Sequence, residues 1–133
     1  MFLANLTGEQ KAAFLVLAQT LIAADDVLSD DEVSMMEQYK QEMAFPASMN
    51  VPRQSVEQCT EVFKAGAKVT KKQIIFELVA LACADNDYAD EEHHFLGAVS
   101  TALGLDAAFL GECRAYVREL TALYERIGKL IGE

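Results

Sequence analysis

The sequence predicts an all-α fold, a single-domain helical bundle of about six helices containing two pseudo-symmetric helical-hairpin repeats. Three observations predict it. Strong helix formers dominate, and no run alternates cleanly between apolar and polar residues. The only two prolines, Pro46 and Pro52, bracket one loop. Two acidic segments, 24–32 and 84–92, align without a gap at a shift of 60 residues, each with a buried-type helix leading in and an amphipathic helix leading out.

Each element has its own start and stop signals. The first helix starts at Thr7, with Gln10 completing a capping box, and runs through Phe14, Leu17 and Leu21 to about Asp25. The second starts at Ser29, with Glu32 as the box partner, and fades near Met43. Residues 44–54 form the proline loop. The third helix covers 55–65, with Gly66 as its stop. The fourth is expected from Thr70, with Gln73 as its box partner, to about Asp85. The fifth covers 90–103, and Gly104 followed by Leu105 predicts a Schellman stop. The sixth starts with Asp106 as N-cap and reaches about Ile131. The first and fourth helices are apolar nearly all round and rich in alanine, which places them in the middle of the bundle. Repeat one thus spans about 7–43, repeat two about 70–104, and the C-terminal helix about 106–131, within one domain over 1–133.

Composition excludes several classes. A chain of 133 residues that is 52% apolar and 24% charged has the core of a folded domain rather than the make-up of a disordered segment. Eleven basic against 21 acidic residues give a formal charge of −10, which disfavours nucleic acid and anionic lipid and favours cations or basic protein surfaces. The longest apolar runs, 12–18 and 78–84, are far shorter than the about 20 residues of a membrane span. No basic stretch precedes Lys11, so a signal peptide is not expected. Cys59, Cys83 and Cys113 are widely spaced and read as reduced, partly buried thiols of a cytoplasmic protein.

The charge is concentrated. The windows 25–32 and 85–92 hold ten of the 21 acids and no Lys or Arg. Four of nine positions are identical between 24–32 and 84–92, at Ala24/Ala84, Asp25/Asp85, Asp30/Asp90 and Glu32/Glu92. Acids in a helix's first turn complement its dipole, which accounts for Asp30, Asp31, Glu32, Asp90, Glu91 and Glu92 without any ligand. It does not account for Asp25 and Asp85, which fall at the negative poles of the first and fourth helices, nor for Asp26 and Asp87 beside them. Carboxylates crowded against that pole point to a bound cation; a solvated acidic turn is the alternative. The donors are Asp25, Asp26, Glu32, Asp85, Asp87 and Glu92, an all-oxygen set suited to Ca²⁺, Mg²⁺ or Mn²⁺. An EF-hand is excluded, because counting from Asp85 puts Ala89 at position five, Asp90 where Gly is needed and Leu96 at position twelve. Glu91 and His94 match the i, i+3 motif of di-iron bundles, but only once, so His93 and His94 read as an exposed face or an auxiliary ligand.

The pattern Ala-Asp-x-x-(Leu/Tyr)-x-Asp-x-Glu between two helices, present at 24–32 and 84–92, resembles the tellurite-resistance TerB-like family, a kind of domain also found in membrane-anchored DnaJ-like co-chaperones. The resemblance spans about residues 7–105. It implies two related helical halves, a divalent-cation site at the acidic turns carried by Asp25, Glu32, Asp85 and Glu92, and a role in stress response near the membrane. The Gly that often follows the first Asp of the motif is replaced here by Asp26 and Asn86.

In the sixth helix Phe109, Cys113, Tyr116, Leu120, Leu123, Ile127 and Leu130 form a heptad-like seam. It reads first as packing on its own bundle and second as a homodimer contact, with Tyr124 and Ile131 beside it. Met35, Met36, Met43 and Met49 read as core fillers. No nucleophile elbow, P-loop or Rossmann glycine pattern occurs, so no catalytic residue is expected. The resulting expectation is a non-enzymatic, cation-binding module with an unidentified protein partner, basic or membrane-associated. A metal-free acidic interaction or scaffold domain is the alternative.

Overall fold

The computed structural model describes residues 1–24, 29–45, 54–84 and 90–132. Among them are six helices and no strand: α1 (Gly8–Ala23), α2 (Asp30–Glu42), α3 (Val56–Lys64), α4 (Lys68–Ala82), α5 (Asp90–Ala102) and α6 (Ala107–Gly132). The chain is an all-α bundle. Its centre is the pair α1 and α4, which touch each other and are covered by the remaining helices. Phe14, Leu15, Leu17 and Leu21 of α1 and Ile74, Ile75, Leu78 and Leu81 of α4 are fully buried. Alanines between them allow the two helices to approach closely.

The duplication extends well past the acidic segments. In the register that pairs Glu32 with Glu92, the first residue of α4 falls on that of α1, and α5 coincides with α2 at both ends. The buried residues of α2 are Glu32, Met36 and Tyr39, and those of α5 are their counterparts Glu92, Leu96 and Val99 together with Ser100. The third helix of each half packs most extensively on the first, α3 on α1 and α6 on α4. The repeat is therefore a three-helix unit rather than a hairpin alone.

Local signals explain most ends. Thr7, Ser29 and Ser55 each close a reciprocal capping box, with Gln10, Glu32 and Gln58. The Ser55–Gln58 box was not among the expectations, although it has the same spacing. Gly104 has φ +73°, its N–H donates to the Thr101 carbonyl, and the Leu105 N–H donates to the Ser100 carbonyl at 3.1 Å, which is the Schellman stop expected there. At the equivalent position of the first half Ala44 does the same with φ 53°, and the Phe45 N–H donates to the Lys40 carbonyl at 2.8 Å. Here a Cβ occupies a left-handed position that Gly takes without cost.

One start differs from expectation. α4 begins at Lys68 behind Ala67, which supplies no side-chain cap, so Thr70 lies inside the first turn. Thr70 and Gln73 have box spacing, but the helix starts where the repeat places it, in register with Gly8, and the pair is bypassed.

Specific cross-links join the elements. The Tyr39 hydroxyl donates to the Glu77 carbonyl at 3.0 Å, and its ring meets Phe14 edge-on at 5.2 Å, joining α2 to both central helices. Burial first, then the Glu77 and Glu42 charges, push the Tyr39 phenol well above its usual pKa. The buried Glu77 side chain accepts from the Phe2 N–H at 2.8 Å, Glu42 accepts from the Leu3 N–H at 2.6 Å, and both carboxylates pair with the Met1 ammonium. Lys72 of α4 sits over the Phe109 ring of α6 at 5.3 Å. Met36 and Met43 are buried and Met35 packs against the core, as core fillers should; Met49 lies outside the described residues.

The two left-handed stops and the buried thiols give measurable consequences. No atom lies within 4 Å of a Cβ built on Gly104, so Gly104→Ala costs only backbone strain, about 1 kcal/mol, while Ala44→Gly relieves it and stabilises by about 0.5–1 kcal/mol. Urea midpoints at constant m-value read both changes. Cys59 and Cys113 are buried and form no disulfide. Burial raises the Cys59 thiol pKa, and burial and the Glu112 charge raise that of Cys113 to about 11. Little thiolate forms at pH 8, so iodoacetamide should leave both cysteines of the native protein unlabelled and label them in denaturant, as peptide mass spectrometry will report.

Candidate metal centre

Each acidic segment lies between two described helices, 25–29 between α1 and α2 and 84–89 between α4 and α5. α1 ends with Ala24 as C-cap and α4 with Cys83, and neither helix has a basic residue in its last turn. Of the other helices, α2, α3 and α6 end with Lys40, Lys64 and Lys129, whereas α5, like α1 and α4, has no basic residue in its last turn. The negative poles of the two central helices are thus left without the cation that usually offsets them. In sequence Asp25 and Asp26 follow the first of these ends directly, and Asp85 and Asp87 follow the second. These four aspartates lie outside the described residues.

The remaining two candidates, Glu32 and Glu92, are described, and both are buried, at 2% and 1% exposure. Each is the third residue of its helix. Glu32 Oε1 accepts from the Ser29 N–H and from the Ser29 hydroxyl, both at 3.1 Å, while the Glu32 N–H donates to Ser29 Oγ. A capping partner needs no burial to work; the Gln10 and Gln58 boxes sit nearer the surface. Placing a carboxylate out of water at two equivalent positions is costly unless its charge is compensated.

The neighbouring acids behave differently. Asp30, Asp31, Asp90 and Glu91 are exposed, as first-turn acids that serve the dipole can be. His93 and His94 are exposed as well. Glu91 and His94 therefore do not face the bundle interior, where a di-iron site would need them. Among the described residues, no group of three or more His, Cys, Asp or Glu stands at metal-holding distances. The six candidates together offer only hard oxygen donors, which fits Ca²⁺, Mg²⁺ or Mn²⁺, with Glu32 and Glu92 as the described members.

Sequence reasoning missed Glu77 and Glu42, the buried and half-buried pair at the start of the chain. The available signal was Glu77 itself, a lone acid within the otherwise apolar stretch 74–84. Their bonds go to the first residues of the chain, so their role is to tie that segment down.

Among the described residues, no helix is long and apolar enough to cross a membrane. No family model matches the chain, and no curated protein matches it. Among solved structures, a protein of unknown function from Porphyromonas gingivalis W83 is similar, with a TM-score of 0.58 at 17% identity, covering 85% of this chain and 90% of that one. That likeness speaks to the fold alone.

Proposed function

We propose that the protein is a non-enzymatic, cytoplasmic module that binds one or two divalent cations at its paired acidic turns, as the TerB-like resemblance implies. One observation carries the reading. Two turns related by the repeat each run from a helix end with no basic residue, through acids, to a buried carboxylate, Glu32 or Glu92. Asp25, Asp26, Glu32, Asp85, Asp87 and Glu92 would hold the ion. Its charge would offset both the helix poles and the buried carboxylates, so binding and folding are coupled. The reading extends to a role in stress response through a protein partner, basic or membrane-associated, and to self-association through the exposed half of α6. The competing reading is a metal-free acidic docking or scaffold domain, supported by the exposed Asp30, Asp31, Asp90 and Glu91.

Thermal melting separates the two. A cation at a hundredfold its Kd adds about 2.7 kcal/mol, or roughly 10 °C in Tm for a chain of this size. A rise of that order with millimolar Ca²⁺, Mg²⁺ or Mn²⁺ is expected, and it should vanish in Asp25→Asn plus Asp85→Asn. No rise with any of the three, and no effect of the double variant, would leave the docking reading in place. Glu32→Gln isolates the structural part. Glutamine already serves as box partner in α1 and α3, so stability without metal should change by less than about 1 kcal/mol while the metal-induced rise shrinks.

A further inference from the structure

We infer that α6 pairs with α6 of a second copy of this chain in antiparallel orientation, with Leu123 seated in a hollow of the partner and Glu119 facing Arg126 on both sides. This rests on self-association through α6 and adds its direction and register.

The helix has two unlike halves. Leu110, Cys113 and Val117 are buried against the bundle; of the expected seam only Cys113 is among them, Phe109 being partly buried and Tyr116 62% exposed, so the docked face is turned from the seam. From Ala122 to Gly132 every residue is exposed. That is about 16 Å of helix at 1.5 Å per residue, of which Tyr124, near its start, lines a hollow shared with Asp31, Ser34 and Gln38 of α2. Its apolar residues are large: Leu123, Tyr124, Ile127, Leu130 and Ile131 are 41–79% exposed. With Tyr116 they form one stripe about 120° wide, the width of a face meant for burial. A stripe of this kind on an isolated molecule is an interaction surface.

The shape of the stripe fits a helix like itself. A hollow of about 400 Å³ lies on it, lined by Tyr116, Glu119, Leu120 and Leu123 of α6 and walled by Phe76 of α4. Four residues at i, i+3, i+4 and i+7 are what receives one knob from a facing helix. The stripe's own apolar side chains are suitable knobs.

Charge chooses the occupant and its direction. The molecule carries −10 overall, so two copies repel in most orientations. The exposed half of α6 is an exception: from 118 to 132 it holds Arg118, Arg126 and Lys129 against Glu119 and Glu125. Along one flank of the stripe run Glu119 and Arg126, one heptad apart. The other flank carries Tyr124 and Ile131. In an antiparallel pair like flanks meet, so Glu119 faces the partner's Arg126 and the reverse, giving two equivalent ion pairs about a two-fold axis. In a parallel pair Glu119 and Arg126 would face tyrosine and isoleucine. With the axis near residue 122, Leu123 enters the partner's hollow and Tyr116 lies opposite the partner's Ile127. Each overhanging half then lies on the docked half of the other α6.

Sedimentation velocity on the full chain over a range of concentrations tests this, with circular dichroism as a check on folding. Wild type should be a dimer. Leu123→Glu should be a folded monomer at the same concentrations, since Leu123 is exposed in the single chain. Glu119→Arg and Arg126→Glu should each weaken dimerisation about tenfold, and the two combined should restore it. A monomeric wild type overturns both self-association and the register. A dimer that survives Leu123→Glu, or one whose charge variants are silent or fail to rescue each other, overturns the antiparallel register and leaves only self-association elsewhere or in another geometry.

Discussion

The structure depends on burying most of the apolar surface of two helices. α1 and α4 are apolar nearly all round, and each places four large aliphatic or aromatic side chains fully out of water. At about 1.5–3 kcal/mol per side chain, these contribute substantially to the stability of the core. No helix can bury every face against one partner. The other four must surround the pair, and the duplication supplies them symmetrically, with α3 laid on α1 and α6 on α4. Tyr39 shows how closely the cover is fitted, since it bonds to one central helix and stacks on the other.

Central placement has an electrostatic consequence. A surface helix can settle its negative pole with a lysine and solvent, as α2, α3 and α6 do with Lys40, Lys64 and Lys129, though α5 has no basic residue there. α1 and α4 have no such residue, and the chain continues from each into acids and then a buried glutamate. Cation binding is the reading that answers both charges at once. The same packing logic leaves the distal half of α6 uncovered, because α4 is too short to accompany a helix of 26 residues. The described residues thus leave the ends of α1 and α4 without a basic residue and the distal half of α6 without cover.

Much of this is legible in the sequence, for identifiable reasons. Helix starts at Thr7 and Ser29 and the stop at Gly104 are readable because few residue types favour such positions and each has its box partner or following apolar residue at the expected spacing. The Ala44 stop is hidden, since alanine is not a stop signal and its positive φ is accompanied only by the backbone hydrogen bonds from Ala44 to Gln41 and from Phe45 to Lys40. The start of α4 misleads because Thr70 and Gln73 imitate a box, whereas extending the repeat to its first residue points to Ala67. Of the site, Glu32 and Glu92 stand out through the repeat, but their burial does not, because periodicity alone cannot separate a capping carboxylate from one packed inward. Asp25, Asp26, Asp85 and Asp87 are picked out by their place after helix ends and lie outside the described residues. The division of α6 into a docked and a free half is not legible, since its seam continues unbroken through both.

Metal content measures the central claim most directly. The full chain, equilibrated by dialysis against Ca²⁺, Mg²⁺ or Mn²⁺ in turn and assayed for bound metal by elemental analysis, should retain one or two ions per chain of at least one of them. Protein carrying asparagine at positions 25 and 85 should retain none. Wild-type chains that come through dialysis without bound metal at millimolar concentration would contradict the account, and the buried glutamates would then stand as capping residues alone.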